Sequence, residues 1–233
     1  MNNNSLVTVI MSTHNSEKYI HKSIESILNQ SYENLEFLVI DDHSTDKTFE
    51  IIQKYENLDK RIKSYKNSTN LGLTKSLNKA IKLSTSDLIA RQDDDDISFQ
   101  NRLENQIKFV RKYNYDACFT RAKKIKGNGI IPKYSFYLPN KIVVKYKNPF
   151  IHGTLLIKKN ILNKVGNYNE NFYFSQDYYL FKKLIENNVK IKYIRKPLYF
   201  LNTEDNISSN FSEQQKYYSD CVKKDIEPKV GFN

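Results

Sequence analysis

Two clusters of carboxylates stand where the sequence predicts the ends of buried strands. Asp41 and Asp42 follow the apolar run 36–40, and four consecutive aspartates at 93–96 follow the run 88–90. In an open α/β sheet, ligands bind at the carboxyl edge of the strands, so we expect both clusters to face one crevice. Adjacent carboxylates repel one another unless a cation screens them. Their hard oxygens suit Mg²⁺ or Mn²⁺, which usually take further ligands from substrate phosphates.

The direction of the four aspartate side chains depends on the local backbone. In an extended stretch alternate side chains share a face, so Asp93 and Asp95 would point one way and Asp94 and Asp96 the other. The alternative is a solvated acidic turn ahead of a helix that begins near Phe99. A second acidic pair at the same sheet edge favours the cation site.

Hydrophobic periodicity predicts the elements that position these carboxylates. Apolar, β-branched runs predict strands at 6–11, 36–40, 62–65 and 88–90. Apolar residues on one helical face predict helices that begin near Glu17, Thr45, Leu73 and Phe99. Strand and helix therefore alternate four times, which is typical of an α/β fold with a mostly parallel sheet covered on both faces.

The pattern is looser after residue 121. Residues 123–148 are basic and contain glycine and proline, which predicts a long irregular and mobile segment. Beyond it we expect a strand at 154–157, a helix from near Gln176, a pair of strands at 191–194 and 198–201 on either side of Pro197, and a last helix over 211–224.

The net positive charge of the chain is confined to its second half. The formal net charge is +11; residues 1–120 carry 16 Lys/Arg and 17 Asp/Glu, and residues 121–233 carry 21 and 9. One interpretation is a solvated lysine-rich surface. The other is attraction to phospholipid headgroups, to a lipid-linked phosphate acceptor or to nucleic acid. The acidic crevice and the lack of a recognised nucleic-acid-binding motif disfavour nucleic acid.

Composition excludes several classes of site. With 6 glycines, the sequence contains neither GxGxxG nor GxxxxGK[ST], so glycine-rich phosphate loops are absent. Two cysteines exclude a disulfide scaffold and a cysteine-based zinc site. The N-terminus lacks the pattern of a signal peptide, and the longest apolar runs are far shorter than the ~20 residues of a membrane helix. We therefore expect a cytoplasmic protein.

Several blocks, in order, resemble the family 2 glycosyltransferases. They are VTVIMSTHN at 7–15, EFLVIDDHSTD at 36–46, NLGL at 70–73, IARQDDDDIS at 89–98, NPFIH at 148–152, GNYNE at 166–170 and QDYYL at 176–180. The similarity extends from about residue 7 to 208. It implies a GT-A fold in one domain, 1–233, with a Rossmann-like nucleotide-sugar-binding half at 1–120 and a basic acceptor-binding half at 121–233.

The resemblance also implies a chemistry and assigns residues to it. It implies metal-dependent sugar transfer from a nucleoside diphosphate, usually UDP, with inversion at the anomeric carbon. By position in the motifs, the residues that would bind the nucleotide sugar are Ser12, Thr13, His14, Asn15, Asp42, Asn70, Leu73, Asn78, Arg91, Asp93 and Asp94. Of these, Asp42 would accept a hydrogen bond from the N3–H of uracil.

The remaining assignments concern the metal and the acceptor. Asp95 and Asp93 would bind Mn²⁺ or Mg²⁺. Leu201 and Thr203 fall where many relatives have an arginine and a histidine, and that histidine can complete the metal site. Glu204 or Asp205 could replace it as a ligand here. Asp177 matches the general base that takes the proton of the acceptor hydroxyl. His152 and Gln176 would lie on the acceptor side.

These assignments predict the partners. We expect a UDP-sugar donor and a saccharide or lipid-linked acceptor, one sugar added per acceptor in surface-polysaccharide or lipooligosaccharide synthesis, and no nucleic acid. The basic half would contact an anionic membrane from its cytoplasmic side. The alternative is a non-catalytic nucleotide-sugar-binding or scaffolding subunit, which would tolerate replacement of Asp177.

Overall fold

Alternating strands and helices build the first half, as predicted. The computed structural model describes residues 5–127, 129–203 and 211–229. The elements of the first half are β1 (Val7–Thr13), α1 (Ile20–Leu28), β2 (Leu35–Asp41), α2 (Thr48–Leu58), β3 (Ile62–Lys66), α3 (Leu73–Leu83), β4 (Leu88–Arg91), β5 (Ile97–Ser98) and α4 (Arg102–Tyr113).

The second half has shorter and less regular elements. They are β6 (Ala117–Lys124), β7 (Ile130–Ile131), α5 (Asn140–Val143), β8 (Leu156–Lys158), α6 (Lys159–Val165), α7 (Gln176–Glu186), β9 (Ile191–Leu201) and α8 (Ser212–Lys224). The predicted irregular segment 123–148 thus contains β7, a 3-10 turn at Ser135–Tyr137 and α5. Within the described ranges, no helix has both the length and the apolar character needed to cross a bilayer.

One sheet runs through both halves in the order β3-β2-β1-β4-β8-β6-β9-β5. The strands from β3 to β4 are all parallel, which confirms the predicted Rossmann-like arrangement. Strand β8 is antiparallel to both β4 and β6, whereas β6 and β9 are parallel to each other. The chain moves outward from β1 to β3 and then returns to the other side of β1, which places a ligand crevice at the carboxyl ends of β1 and β4.

Two boundaries differ from the prediction. The expected pair of strands around Pro197 is wrong, because β9 continues through the proline as one strand. Its register with β6 shifts on both sides of Arg121, which pairs with Pro197, and such a bulge accommodates a residue that has no N–H to donate. The strand expected at 154–157 begins only at Leu156, because His152–Thr154 form a 3-10 turn.

Both faces of the sheet carry a hydrophobic core. Along β1, Val9 and Met11 pack on one face with Ile24 of α1 and Leu103 of α4. Ile10 points to the other face, where it joins residues from α3, α7 and α8, among them Leu77, Leu184 and Tyr218. This alternation follows from the two-residue period of a strand. The parallel strands are therefore held rigidly between two layers of helices, and their carboxyl ends are fixed relative to one another.

Candidate active site

The carboxyl ends of β1, β2 and β4 bring the two acidic clusters to one edge of the sheet. The Asp42 amide donates to the Thr13 carbonyl at 2.8 Å, so the ends of β1 and β2 are joined. On the other side of β1, the Gln92 amide donates to the Ile10 carbonyl at 3.0 Å. The carboxyl end of β1 therefore lies between the ends of β2 and β4, so both clusters lie at one edge of the sheet, as the sequence predicts.

The aspartate run forms a turn, so the expected alternation of an extended stretch is wrong. Asp94 and Asp95 occupy the turn, and the Asp96 amide lies 3.4 Å from the Asp93 carbonyl. The chain has to leave β4 and enter the short strand β5 within five residues, which leaves no room for an extended segment. Asp95 and Asp96 consequently bond to the same residue: Asn202 donates its amide N–H to Asp96 Oδ1 at 2.6 Å and its side-chain Nδ2 to Asp95 Oδ2 at 3.3 Å.

The turn concentrates negative charge in a partly buried place. Burial, together with the carboxylates of Asp94 and Asp93, raises the pKa of Asp95 to about 7. Burial likewise raises the pKa of Asp94 and of Asp96, and the neighbouring carboxylates add to both effects. A nearby cation would relieve this repulsion, since it favours the ionised form of each carboxyl group.

The donor set fits a hard divalent cation that has few protein ligands. In the described part of the chain, no three His, Cys, Asp or Glu side chains converge as a preformed metal site. Carboxylate oxygens from one turn are nevertheless the ligands that Mg²⁺ or Mn²⁺ takes when phosphates and water complete its shell. Asp95 and Asp93 can therefore supply oxygens, whereas Glu204 and Asp205 lie outside the described residues.

Asp93 is held by a buried arginine. Arg91, at the end of β4, is 1% exposed and its Nη2 lies 2.6 Å from Asp93 Oδ1. Its Nη1 donates to the Ile10 carbonyl at 3.4 Å. The ion pair fixes Oδ1 of Asp93, and Oδ2 lies close to Gly153. A Cβ atom at position 153 would lie 2.5 Å from Asp93 Oδ2, which is too close. Glycine is therefore required at this close approach between the two halves.

A second buried arginine joins β4 to the second half of the chain. Arg102, at the start of α4, donates to the Gly153 carbonyl at 2.7 Å and to the Arg91 carbonyl at 3.0 Å. Its guanidinium lies over the ring of Tyr199 on β9. The Tyr199 hydroxyl in turn accepts the Asp93 amide at 3.1 Å. Arg102 and Tyr199 therefore fix the backbone on both sides of the aspartate turn.

The carboxylate of Asp42 organises the loop between β3 and α3. Its Oδ1 accepts from Asn67 Nδ2 at 2.7 Å and from the Leu71 amide at 2.9 Å, and its Oδ2 accepts from the Gly72 amide at 2.7 Å. The residue is 3% exposed. The structure thus gives Asp42 a clear role in holding this loop, and its contact with a uracil ring stays a prediction.

The other predicted residues of the nucleotide half divide into two groups. Ser12 and Thr13 are buried in β1, whereas His14 and Asn15 are exposed just beyond it. His14 Nδ1 lies 2.9 Å from the Asp42 carbonyl, and Asn15 Nδ2 lies 3.2 Å from His14 Nε2. These side chains are therefore brought together at the edge of the crevice.

The residues predicted on and before α3 are placed differently. Asn70 is exposed and its Oδ1 accepts the Gly72 amide at 3.2 Å, while Leu73 is half-buried against the core. Asn78 contacts the second half of the chain: its Nδ2 donates to the Tyr168 carbonyl at 2.9 Å, and its Oδ1 accepts the Tyr168 amide at 3.1 Å. Asn78 therefore joins the two halves through α3.

Asp177 lies in the first turn of α7, where the helix dipole favours a carboxylate. Its Oδ2 accepts from Asn148 Nδ2 at 2.6 Å, and its Oδ1 accepts from the Tyr178 amide at 2.7 Å. The side chain is half-buried, and the preceding Gln176 is buried at the start of the helix. Two hydrogen bonds thus orient the carboxylate without enclosing it.

His152 is next to Gly153, which lies against Asp93 Oδ2. Its Nε2 lies 2.7 Å from the Tyr168 hydroxyl. Burial and the Arg91 guanidinium lower the pKa of His152, while the carboxylates of Asp93 and Asp177 act in the opposite direction. Burial raises the pKa of Tyr168, and the same two carboxylates add to the effect. The segment that contains His152 reaches both predicted carboxylates, since Asn148 donates to Asp177 and Gly153 lies against Asp93.

Several residues of the site were missed by sequence reasoning. Asn148 stands at the start of the NPFIH block, so its position gave a usable signal for a partner of Asp177. Asn202, Tyr199 and Arg102 reach the aspartate turn only through the pairing of β9 and the packing of α4, which local sequence patterns do not reveal.

Comparison with known proteins gives a consistent picture. A family model described as glycosyl transferase family 2 matches residues 8–179. The chain is 36% identical to an uncharacterized glycosyltransferase of Methanocaldococcus jannaschii, over 97% of this chain and 81% of that protein. It is 35% identical to the Escherichia coli UDP-Glc:alpha-D-GlcNAc-diphosphoundecaprenol beta-1,3-glucosyltransferase WfgD, over 78% of this chain and 71% of that protein.

A solved structure shows the same fold. The crystal structure of S. aureus TarS 1–349 in complex with UDP-GlcNAc superposes with a TM-score of 0.75 at 26% sequence identity, over 88% of this chain. The match covers 60% of the TarS chain, so this protein spans about three fifths of that structure.

Proposed function

The chain belongs to glycosyltransferase family 2, and on that premise we propose that it transfers a sugar from a UDP-sugar to a saccharide or lipid-linked acceptor in surface-polysaccharide synthesis. The protein is a glycosyltransferase with a GT-A fold. The names of WfgD and of the TarS complex support a UDP-sugar donor, and the name of WfgD supports a lipid-linked acceptor.

One observation carries the proposal. The aspartate turn and Asp177 come from sequence segments more than 80 residues apart, yet both reach the short segment 148–153: Asn148 donates to Asp177 Oδ2 at 2.6 Å, and Gly153 lies against Asp93 Oδ2. An inverting transfer needs a charged leaving group held on one side of the reacting carbon and a single base on the other. We assign Asp93 and Asp95 to the leaving-group side and Asp177 to the base.

The proposed step is a direct displacement. The acceptor hydroxyl oxygen attacks the anomeric carbon while Asp177 takes its proton. The new carbon–oxygen bond forms as the bond to the β-phosphate oxygen breaks, and UDP leaves with the electron pair. Asn148 and the Tyr178 amide keep the Asp177 carboxylate in position, since both donate to it. His152 and Gln176 are proposed to contact the acceptor.

We propose that Asp95 and Asp93 hold Mn²⁺ or Mg²⁺. When bound, such a cation stabilises the charge that develops on the diphosphate, as a Lewis acid. Arg91 keeps Asp93 in place through their 2.6 Å ion pair, and Asn202 orients Asp95. Ser12, Thr13, His14, Asn15, Asp42, Asn70, Leu73, Asn78 and Asp94 are proposed to line the nucleotide side.

Release of free UDP tests this function. The purified chain would be incubated with UDP-glucose, UDP-galactose and their N-acetyl forms, each with Mn²⁺, with Mg²⁺ and with a chelator. We expect one donor to release UDP with metal and at least tenfold less with chelator, because a metal ion supplies several kcal/mol of charge stabilisation. Failure to release UDP from any donor, together with failure to bind UDP when metal is present, would contradict the proposal.

A further inference from the structure

An exposed face rich in aromatic and basic residues lies on the acceptor half. We call residues 133–147 the docking segment. Tyr134 is 78% exposed and Tyr146 is 72% exposed, and three further large apolar side chains of the segment are also exposed: Tyr137, Leu138 and Ile142. Four exposed lysines lie among them: Lys133, Lys141, Lys145 and Lys147. Large apolar patches on a surface mark interaction sites when they are contiguous.

The segment is attached to the fold by its other side chains. Phe136 packs on Tyr193 of β9, and the Arg121 guanidinium lies over its ring. Val143 and Val144 are buried, and the Val144 carbonyl accepts the Tyr178 hydroxyl at 2.7 Å. The outward position of the exposed aromatic residues is therefore fixed by the structure, since the residues between them are anchored to β9 and α7.

The charged side chains in the sequence around the docking segment are all positive. Residues 117–169 contain 11 Lys/Arg and no Asp or Glu. The neighbouring strand β9 adds the exposed side chains of Lys192, Arg195 and Lys196, and the Arg195 guanidinium lies 5.5 Å from the Tyr137 ring centre. Tyr137 and Leu138 also line a surface cavity together with Lys192 and Arg195, so cations and exposed apolar side chains lie side by side there.

We propose that the docking segment binds the surface of a bilayer that contains anionic phospholipids. Tyrosine rings favour the headgroup level of a bilayer, where one end of the ring is apolar and the other is hydrated. Lysines near the surface are attracted to anionic headgroups. Duplex nucleic acid would use the lysines but gives no comparable reason for exposed Leu138 and Ile142, so the apolar side chains favour lipid.

The segment also leads directly to the candidate base. Tyr146 is two residues from Asn148, whose side chain holds Asp177 at 2.6 Å. Docking through this segment would therefore place the entrance of the acceptor side at the membrane surface. The inference does not depend on the catalytic assignments, because membrane binding is measured without donor or acceptor.

Vesicle sedimentation tests the charge part of the proposal. The full chain would be mixed with phosphatidylcholine vesicles with and without phosphatidylglycerol. We expect at least tenfold tighter binding to the anionic vesicles, and a loss of at least tenfold when Lys133, Lys141, Lys145 and Lys147 are all replaced by glutamine. The matched control replaces Lys22, Lys54, Lys60 and Lys82, four exposed lysines of the other half, by glutamine and should lose less than threefold.

A fluorescence reporter tests the apolar part. The chain has no tryptophan, so Tyr134→Trp provides a single probe in the docking segment, and Tyr113→Trp provides a control probe that is 53% exposed on α4. We expect anionic vesicles to shift the emission of the Tyr134→Trp protein to shorter wavelength and to leave the Tyr113→Trp protein unchanged. Both variants keep an aromatic ring at an exposed position, so folding should be preserved.

Four results would overturn the proposal. They are no binding to anionic vesicles, equal binding to neutral vesicles, equal losses in the two lysine variants, or equal spectral shifts at the two tryptophans. Binding of duplex DNA that fails in the docking-segment variant, while vesicles do not bind, would assign the surface to nucleic acid instead.

Discussion

Asp177→Asn is expected to lower kcat by about 10²–10⁴-fold, which is the usual contribution of a positioned general base. The amide has nearly the shape of the carboxylate and can still accept from Asn148 or the Tyr178 amide, so α7 should begin in the same place. It cannot accept the proton of the acceptor hydroxyl. We therefore expect a large loss in turnover at saturating donor and acceptor, measured by UDP release.

Two kinds of control accompany this prediction: further measurements on the Asp177→Asn protein, and a second variant of the same helix. Affinity for UDP and the melting temperature should stay close to those of the parent chain, because the aspartate turn is untouched. Glu186→Gln, at the other end of α7, provides a matched carboxylate-to-amide change that should keep normal turnover. Normal turnover by the Asp177→Asn protein would remove the base assignment and favour the non-catalytic alternative.

Asp93→Asn is expected to cost about 3–5 kcal/mol in the free energy of unfolding, because it leaves a buried charge without its partner. Arg91 is 1% exposed and its guanidinium lies 2.6 Å from Asp93 Oδ1. An amide oxygen can accept a hydrogen bond from Arg91 but does not neutralise it. Denaturant unfolding monitored by circular dichroism measures this loss, and metal-dependent UDP release should fall as well.

Two further variants separate the structural and functional parts of this effect. Replacing both members of the pair, with Arg91→Met and Asp93→Asn, should recover most of the stability, because no unpaired charge remains. Asp95→Asn removes a carboxylate from the same turn without unpairing an arginine, so it should lower metal-dependent UDP release and leave stability within about 1 kcal/mol. A loss of stability in Asp95→Asn as large as that in Asp93→Asn would contradict this account.

Apart from the two-residue strand β5, the first half of the fold could be predicted because each of its elements has its own periodic signal. Strands β1, β2 and β4 are apolar runs buried on both faces, and α1 and α3 carry clear apolar stripes. The order in which they alternate then restricts the sheet to a parallel arrangement. The observed ends of these elements differ from the predicted ends by at most three residues.

The second half of the fold was harder to predict from the sequence, because its strands depend on tertiary pairing. Strand β6 begins with Ala117 and ends with two exposed lysines, so its pattern is weak, and no strand was predicted there. Strand β9 was divided at Pro197 because a proline in a central strand argues against the assignment. The bulge opposite Arg121 resolves this conflict, but it exists only in the paired sheet.

The site shows the same contrast. The carboxylates Asp42, Asp93, Asp95 and Asp177 could be named from motifs, because charged residues at strand ends and helix starts are visible in the sequence. The groups that hold them could not: the turn at 93–96, the link through Arg102 and the bonds from Asn202 arise from contacts between distant segments. The roles of the named carboxylates in donor and acceptor binding stay predictions.

The most direct test of the central claim is a crystal structure with UDP and Mn²⁺, in which anomalous scattering locates the metal. We predict one manganese peak within coordination distance, on the order of 2 Å, of an Asp95 or Asp93 oxygen and of the UDP phosphates. Asp177 should then lie across the crevice from the β-phosphate. UDP bound away from the ends of β1 and β4, or a diphosphate on the same side as Asp177, would contradict the proposed transfer.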